Sequence, residues 1–329
     1  MADIQTQIEI ERLLFETGAI NVAPEDKPFW YTSGTIGPYY SNTQNLIGGA
    51  AEAGELLKFI DSMLCTDRYL LPPMVARRVL QAYENNDCYH YIAEQIKQCV
   101  NENTDITEID YISGGERRDW FFSYITAYMF KKPHITIYKD LEMAVSDPYA
   151  DAQGGARHAQ AADAADAADA AEAADAADAP DAPVCPAEGA AFAGKRCLHV
   201  SDIITEASSY ARAWTAAAAK AGMRINASLT ILDRMQGGSD VLASLGIRHL
   251  TLARLDGGFF DRALEHRRIN DSQYSLLRRY AADPNGAMRA FLIKHPEFLR
   301  DALSAGGKEA ERARMCIDSG VYGEAAAHA

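Results

Sequence analysis

Arg196-Cys-Leu-His-Val-Ser-Asp-Ile-Ile-Thr-Glu-Ala-Ser-Ser-Tyr210 is the stretch on which the fold turns. An apolar-weighted strand, Cys197 to Val200, runs into Ser201-Asp202 and then Ile203-Ile204. A hydroxyl-bearing turn (Thr205, Ser208, Ser209) follows, and a helical run opens at Tyr210. In an α/β sheet, ligands bind just beyond the carboxyl ends of the strands. A helix N-terminus there offers unpaired N–H groups and a positive dipole end to an anion. The hydroxyls of such a turn donate to phosphate oxygens, and a carboxylate at Asp202 suits sugar hydroxyls or a magnesium ion. By itself the same stretch reads equally well as an ordinary strand–turn–helix whose Ser and Thr residues cap the helix.

Strands and helical patterns alternate around it. The strand candidates are Ile109–Ser113, His134–Tyr138, Arg196–Val200, Ala227–Leu232 and His249–Ala253, with helical stretches at 119–131, 209–222 and 239–246 between them. This alternation predicts an α/β fold with a parallel sheet flanked by helices. Upstream, 50–64 and 74–100 read as helices separated by Leu70-Leu-Pro-Pro73. Downstream, 257–329 reads as helices alone, interrupted at Asp283-Pro-Asn-Gly286. Its regular apolar positions (Leu264, Tyr274, Leu277, Met288, Phe291, Leu292, Phe298, Leu299) predict a packed extension.

The net charge of −14 is unevenly spread: residues 151–190 carry nine acids and one arginine, so the rest of the chain holds only −6. Residues 156–183 repeat Ala-Ala-Asp with period three. A step of three residues advances about 300° around a helix, so the acids wind around the cylinder and leave no apolar stripe. Acids three residues apart also repel. The tract reads as a solvated insertion at 150–190, with an acidic arm for a basic partner as the functional alternative. An acidic total argues against a nucleic-acid-binding face.

No apolar run reaches the ~18–20 residues of a membrane helix. The start of the chain lacks the basic and apolar regions of a signal peptide, so the expectation is a cytoplasmic protein with no membrane partner. The six cysteines contain no Cys-x-x-Cys, and the Cys88/His90 and Cys197/His199 pairs lack a second pair at metal-ligand spacing. Reduced, structural thiols are expected.

Four blocks carry chemistry. Phe29-Trp-Tyr-Thr-Ser-Gly-Thr-Ile-Gly-Pro-Tyr-Tyr-Ser-Asn42 holds Gly34 and Gly37-Pro38, which favour a tight loop with backbone amides open to a small ligand. Asp110-Tyr-Ile-Ser-Gly-Gly-Glu-Arg-Arg-Asp119 is a strand ending in Gly-Gly and two arginines before a helix. Arginine forks match phosphate or pyrophosphate oxygens. The third block is the stretch quoted first. The fourth, Asp233-Arg-Met-Gln-Gly-Gly238, again follows a strand directly, and Arg234 is placed to clamp a carboxylate. Each block alone has a plain reading as a turn or as solvent-facing arginine.

In this order the blocks resemble the orotate phosphoribosyltransferases, of the type I phosphoribosyltransferase fold. Ser33-Gly34 with Pro38-Tyr39-Tyr40 resembles that family's N-terminal substrate loop, and Asp110–Asp119 its pyrophosphate loop. Pro133-His-Ile-Thr-Ile-Tyr-Lys-Asp140 resembles the strand ending in a Lys-acid pair, Val200–Ser209 the phosphoribosyl pyrophosphate signature, and Asp233-Arg-x-x-Gly-Gly the family's turn of that form. The resemblance covers about residues 10–255 without the insertion. It implies an N-terminal substrate-loop (hood) and helical region at 1–104, a phosphoribosyltransferase core at 105–255 and a C-terminal helical extension at 256–329.

It also implies a reaction. The pyrophosphate of phosphoribosyl pyrophosphate is displaced by a ring nitrogen of orotate, with Mg²⁺ held through substrate pyrophosphate and no direct protein ligand. Thr205, Ser208 and Ser209 would hold the 5′-phosphate, and Asp202 the ribose hydroxyls. Lys139 with Arg117 or Arg118 would neutralise pyrophosphate. Arg234, with Ser33, Gly34 and Tyr39 in the substrate loop, would hold orotate. The family implies a homodimer.

The chain departs from the pattern at several positions. Ser201 replaces the first of two adjacent acids, Glu206-Ala207 stand where Thr or Gly is usual, and Thr32 replaces a lysine. Between Asp140 and Ala193 there is no lysine, where the family carries a Lys-bearing loop. Three readings follow: an active orotate enzyme, a phosphoribosyltransferase for another base, and a catalytically weak or inactive homologue that binds nucleotide or phosphoribosyl pyrophosphate as a regulator.

Overall fold

The computed structural model describes residues 4–65, 68, 70–153, 185–186 and 192–327. The alanine–aspartate tract lies outside the described residues. The chain opens with α1 (Ile4–Glu16), followed by four short strands: β1 (Ile20–Val22), β2 (Phe29–Trp30), β3 (Ile36–Gly37) and β4 (Tyr39–Ser41). A buried 3₁₀ turn, Thr43–Ile47, leads into α2 (Ala50–Leu64), α3 (Leu71–Asn85) and α4 (Asp87–Asn103). Two boundaries here differ from the sequence expectation. Pro72 and Pro73 do not separate helices but sit in the first turn of α3, where a missing N–H costs nothing. The expected helix 74–100 is split at Asn86, whose backbone is extended and whose side chain accepts from Tyr89 N to cap α4.

The central elements are β5 (Tyr111–Gly115), α5 (Trp120–Phe130), β6 (His134–Ile137), β7 (Met143–Ser146), β8 (Cys185–Pro186) and β9 (Arg196–Ile204). A π-helical turn at Tyr210–Trp214 passes into α6 (Thr215–Lys220), then β10 (Arg224–Asp233), α7 (Gly238–Ser244) and β11 (Arg248–Arg254). The tail is helical throughout: α8 (Gly257–Glu265), α9 (Asp271–Ala282), α10 (Pro284–Lys294), α11 (Glu297–Ala305), α12 (Gly307–Ser319) and α13 (Glu324–Ala327).

Two compact units share the chain: one comprises 1–13 and 43–254, the other 14–42 and 255–329. The first is built on a seven-stranded sheet in the order β11-β10-β9-β5-β6-β7-β8. Its five strands from β11 to β6 run parallel, as the alternating pattern predicts, while β7 and β8 add antiparallel at the β6 edge. Burial on both faces explains the near-continuous buried runs in β9 and β10. Several of the sheet's buried polar side chains pair with one another or with a helix. Tyr124 hydroxyl meets Thr136 at 2.6 Å, His134 Nε2 meets Ser123 at 2.8 Å, and Thr230 meets His249 at 2.9 Å. α5 is buried almost all round from Trp120 to Ala127, a core helix rather than an amphipathic cover.

In the second unit β1 pairs with β4 and β2 with β3, both antiparallel. Tail side chains fill its core: Leu277, Met288, Phe291, Leu292 and Leu299 are buried, while Leu264, Tyr274 and Phe298 are half-buried. Asp283 accepts from Gly286 N and caps α10, with Pro284 in its first turn, so Asp283–Gly286 is a junction between packed helices.

Candidate active site

Parallel neighbours bring three of the four blocks to one edge. β5, β9 and β10 are adjacent, and the loops at their carboxyl ends begin at Glu116, Thr205 and Arg234. The loop after β10 is docked on the loop after β9. Arg234 N donates to Ile204 O at 3.0 Å, and a Cβ at Gly238 would stand 2.5 Å from Thr205 O. Only glycine permits that approach. Asp233 closes the turn internally, accepting from Met235 N at 2.8 Å and from the Ser239 hydroxyl at 2.9 Å. Arg234 above it is half-buried.

The quoted stretch itself divides by face. Asp202 is 8% exposed, and one of its carboxyl oxygens accepts the Thr43 hydroxyl at 3.2 Å. Ser201 points into the interior, where its hydroxyl meets Tyr210 Oη at 3.1 Å and Tyr210 meets Ser228 at 2.5 Å. Alternation along a strand sends Ser201 and Asp202 to opposite faces. Beyond them Thr205 is half-buried, while Glu206, Ser208 and Ser209 are exposed. Ala207, buried, takes φ +52°, the left-handed region that favours glycine. Ala211 N donates to Ala207 O, so the N–H groups just before Ala211 head the helix as its orphan donors.

Asp119 ties the β5 loop to β9. Its Oδ2 accepts from Gly115 N at 3.0 Å and its Oδ1 from Asp202 N at 2.9 Å. Burial pushes the Asp119 carboxyl well above the usual carboxylate range, opposed by those two N–H groups and by Arg118. Burial also pushes Asp202 up, helped by the Asp119 charge and opposed by Arg118 and the Thr43 hydroxyl. Two close, desolvated carboxyls do not both ionise readily. His199, fully buried, faces the same group: its Nε2 lies 3.7 Å from Asp119 Oδ2 and makes no hydrogen bond. Its Nδ1 meets the Ser113 hydroxyl at 2.9 Å, and Ser113 accepts from the Cys197 thiol at 3.1 Å. Burial lowers His199 to about 3, so the ring is neutral.

The arginines of the β5 loop separate. Arg118 is half-buried and its charge acts on both Asp119 and Asp202. Arg117 turns to α2, where it pairs with Asp61 and donates to Leu57 O at 3.4 Å. Lys139 follows β6 at the same edge, exposed, with its N–H donating to Glu116 Oε2 at 2.9 Å. Its neighbour Asp140 is engaged by Arg68, which also holds Glu142 and lies 4.6 Å over the Tyr138 ring.

Ser33, Gly34 and Tyr39 belong to the second unit. Ser33 and Gly34 form the tip of the β2–β3 hairpin, with the Ser33 and Thr35 hydroxyls 2.7 Å apart. Gly34 takes φ +81°, and a Cβ there would stand 2.6 Å from Met315 Cβ on α12. Tyr39 is 5% exposed, edge-on to Tyr280 at 6.0 Å and tilted against Phe260 at 6.3 Å. Tail helices therefore pack directly on this block.

Sequence reasoning passed over Asp119 as an anchor, Thr43, His199 and Trp214. An acid directly before the apolar run Trp120–Ala127 is a visible signal for Asp119. Nothing local marks Thr43, which lies far from Asp202 in the chain.

No protein-family model matches the chain, and no curated protein sequence does. Among solved structures the chain is similar to the UMP synthase of Leishmania donovani, at 14% identity and a TM-score of 0.46 over 83% of this chain and 41% of that one. It thus spans less than half the length of that protein. It is also similar to the orotate phosphoribosyltransferase of Aeropyrum pernix, at 13% identity and a TM-score of 0.44, covering 77% and 98% of the two chains. The adenine phosphoribosyltransferase of Thermoanaerobacter pseudethanolicus follows at 12% identity and a TM-score of 0.35, covering 54% and 84%. The fold class is α/β, a largely parallel sheet flanked by helices, with a helical tail beyond it. Among the described residues no helix is long and apolar enough to cross a membrane.

Proposed function

We propose that this protein binds phosphoribosyl pyrophosphate at the carboxyl edge of its parallel sheet and transfers the ribose 5-phosphate to orotate, releasing pyrophosphate. The observation that carries the reading is the convergence on neighbouring strands of Arg118, Asp202, the Thr205–Ser209 turn and Arg234. Adjacent carboxyl ends are where an α/β sheet holds its ligand.

In this reading the exposed hydroxyls of Ser208 and Ser209, with Thr205 and the N–H groups at the helix start, hold the 5′-phosphate. Asp202 accepts from the ribose hydroxyls. Arg118 and Lys139 stabilise charge on the departing pyrophosphate, and Arg234 clamps the carboxylate of orotate. The transition state resembles an oxocarbenium ion, so positioning and electrostatic stabilisation carry the chemistry without a covalent intermediate.

Among the described residues no three His, Cys, Asp or Glu side chains gather as a metal cluster. In this reading a hard cation arrives on the oxygens of pyrophosphate. Mg²⁺ bound in this way would supply further neutralisation of the leaving group.

A second reading is favoured by one specific observation: Glu206 is exposed within the turn assigned to a phosphate dianion, and Ser201 faces the interior. In that reading the protein binds phosphoribosyl pyrophosphate or a nucleotide without turnover, as a regulator. Pyrophosphate release, measured with purified protein, Mg²⁺, phosphoribosyl pyrophosphate and a panel of bases, separates the two. Release that depends on orotate supports the enzyme; release with another base moves the specificity. Calorimetric binding of phosphoribosyl pyrophosphate with background release for every base leaves the regulator.

A further inference from the structure

We propose that Asp119 and Thr43 are positioning residues that hold Asp202 from two sides, Asp119 through the backbone N–H of Asp202 and Thr43 through its carboxyl. The inference rests on the sugar-phosphate reading of this site.

Asp119 occupies the position of an N-cap to α5, where an aspartate ordinarily accepts from the first N–H groups of its own helix. It makes no such bond, and its backbone is already helical at φ −58° and ψ −33°. The side chain instead crosses to the sheet. One oxygen takes Gly115 N and the other Asp202 N, so a single carboxyl couples the end of β5 to the ligand-facing end of β9. Burying a carboxyl is costly, and leaving a helix start without its cap adds about 1 kcal/mol. A side chain needed only to begin α5 would do neither. The bond also sits one residue beyond Ser201, at the point where β9 turns its side chains from the interior to the edge.

Thr43 is the second holder. It is 1% exposed at the start of a 3₁₀ turn whose five residues are all buried, and it spends its hydroxyl on Asp202 Oδ2. The carboxyl is thus fixed in rotation as well as in place. A ligand hydroxyl then meets a preset acceptor, and the ordering cost falls on folding rather than on binding.

Asp119→Asn keeps one acceptor oxygen and loses the other; Thr43→Val keeps the shape and loses only the hydroxyl. Binding of ribose 5-phosphate and of inorganic phosphate is measured by calorimetry for the wild type and both variants. Ribose 5-phosphate should weaken about tenfold in Asp119→Asn and about fivefold in Thr43→Val, the loss of one hydrogen bond to a charged group or of a weaker one. Inorganic phosphate, which reaches the Thr205–Ser209 turn alone, should change less than about twofold on the same scale. Undiminished ribose 5-phosphate affinity in the variants overturns the inference, and so does an equal loss of both ligands. If Asp119→Asn does not fold, Thr43→Val alone decides by the same criteria. A wild-type protein with no affinity for either ligand sinks the sugar-phosphate reading itself, an outcome distinct from wild-type binding that the variants leave intact.

Discussion

The Trp214 indole lies against the backbone of Gly115 so closely that a Cβ at Gly115 would overlap its Cζ2 atom. The same ring is 4.3 Å from His199 and 4.8 Å from Tyr210, centroid to centroid. An aromatic wall from the π-helical turn therefore closes over the end of β5, and the Gly-Gly pair is a packing requirement as well as a loop signal. Gly115→Ala should destabilise the protein by about 1–3 kcal/mol through overpacking. Denaturant titration followed by tryptophan fluorescence checks this, and an unchanged midpoint and emission spectrum would contradict the contact.

Glu206 places a negative charge in the turn assigned to the 5′-phosphate. Its exposure limits the repulsion to the scale of a surface ion pair, about 0.2–1 kcal/mol. Glu206→Gln should therefore tighten phosphoribosyl pyrophosphate binding by about two- to fivefold, with a gain that shrinks as salt is added. Equal affinity of wild type and variant at low salt would place the phosphate elsewhere.

Arg234 stands on a turn closed by Asp233 and docked on Ile204, so its removal leaves that turn's own bonds in place. Arg234→Ala should lower kcat/KM for orotate about 10- to 100-fold, the worth of a charge-assisted hydrogen bond. The Kd for phosphoribosyl pyrophosphate should stay the same. Parallel loss of both would separate Arg234 from the base.

Stability against pH carries opposed contributions at this site, from the raised carboxyls and from His199. Asp119 is held above the carboxylate reference of 3.8, so its stabilisation is full below that value and is lost as pH rises through the raised pKa. His199 is lowered from 6.5 to about 3, so its stabilisation is full above 6.5 and is lost as pH falls toward 3. Asp202, raised from the same reference, adds to the Asp119 side, so between 3.8 and 6.5 the two carboxyls oppose His199. Asp119→Asn removes the Asp119 contribution and leaves that of His199 in place. The variant should lose stability on acidification more steeply than wild type, by up to about 1.4 kcal/mol per pH unit for one proton. Urea melts at several pH values read the slope, and equal slopes would show that Asp119 ionises normally.

The parallel core was legible because its signals are local. Apolar strand runs, each followed by a polar turn and a helical pattern, place β5, β6, β9, β10 and β11 within a few residues of expectation. β7 was missed: its four residues alternate in burial, but so short a run is also compatible with loop. Asn86 and Pro72-Pro73 show the same limit at helix ends, where one cap or one first-turn proline outweighs a continuous apolar period.

By itself the sequence determined the fold class, the order of the turn blocks and the apolar face of the tail, since periodicity and turn chemistry act between near neighbours. Tertiary structure alone decided which way side chains point and what they meet. It turned Arg117 to Asp61 and left Arg118 acting on Asp119 and Asp202. It set Gly34 against Met315 and brought Thr43 to Asp202 across more than 150 residues of chain. These partners are fixed by long-range burial and hydrogen-bond satisfaction, which no local pattern encodes.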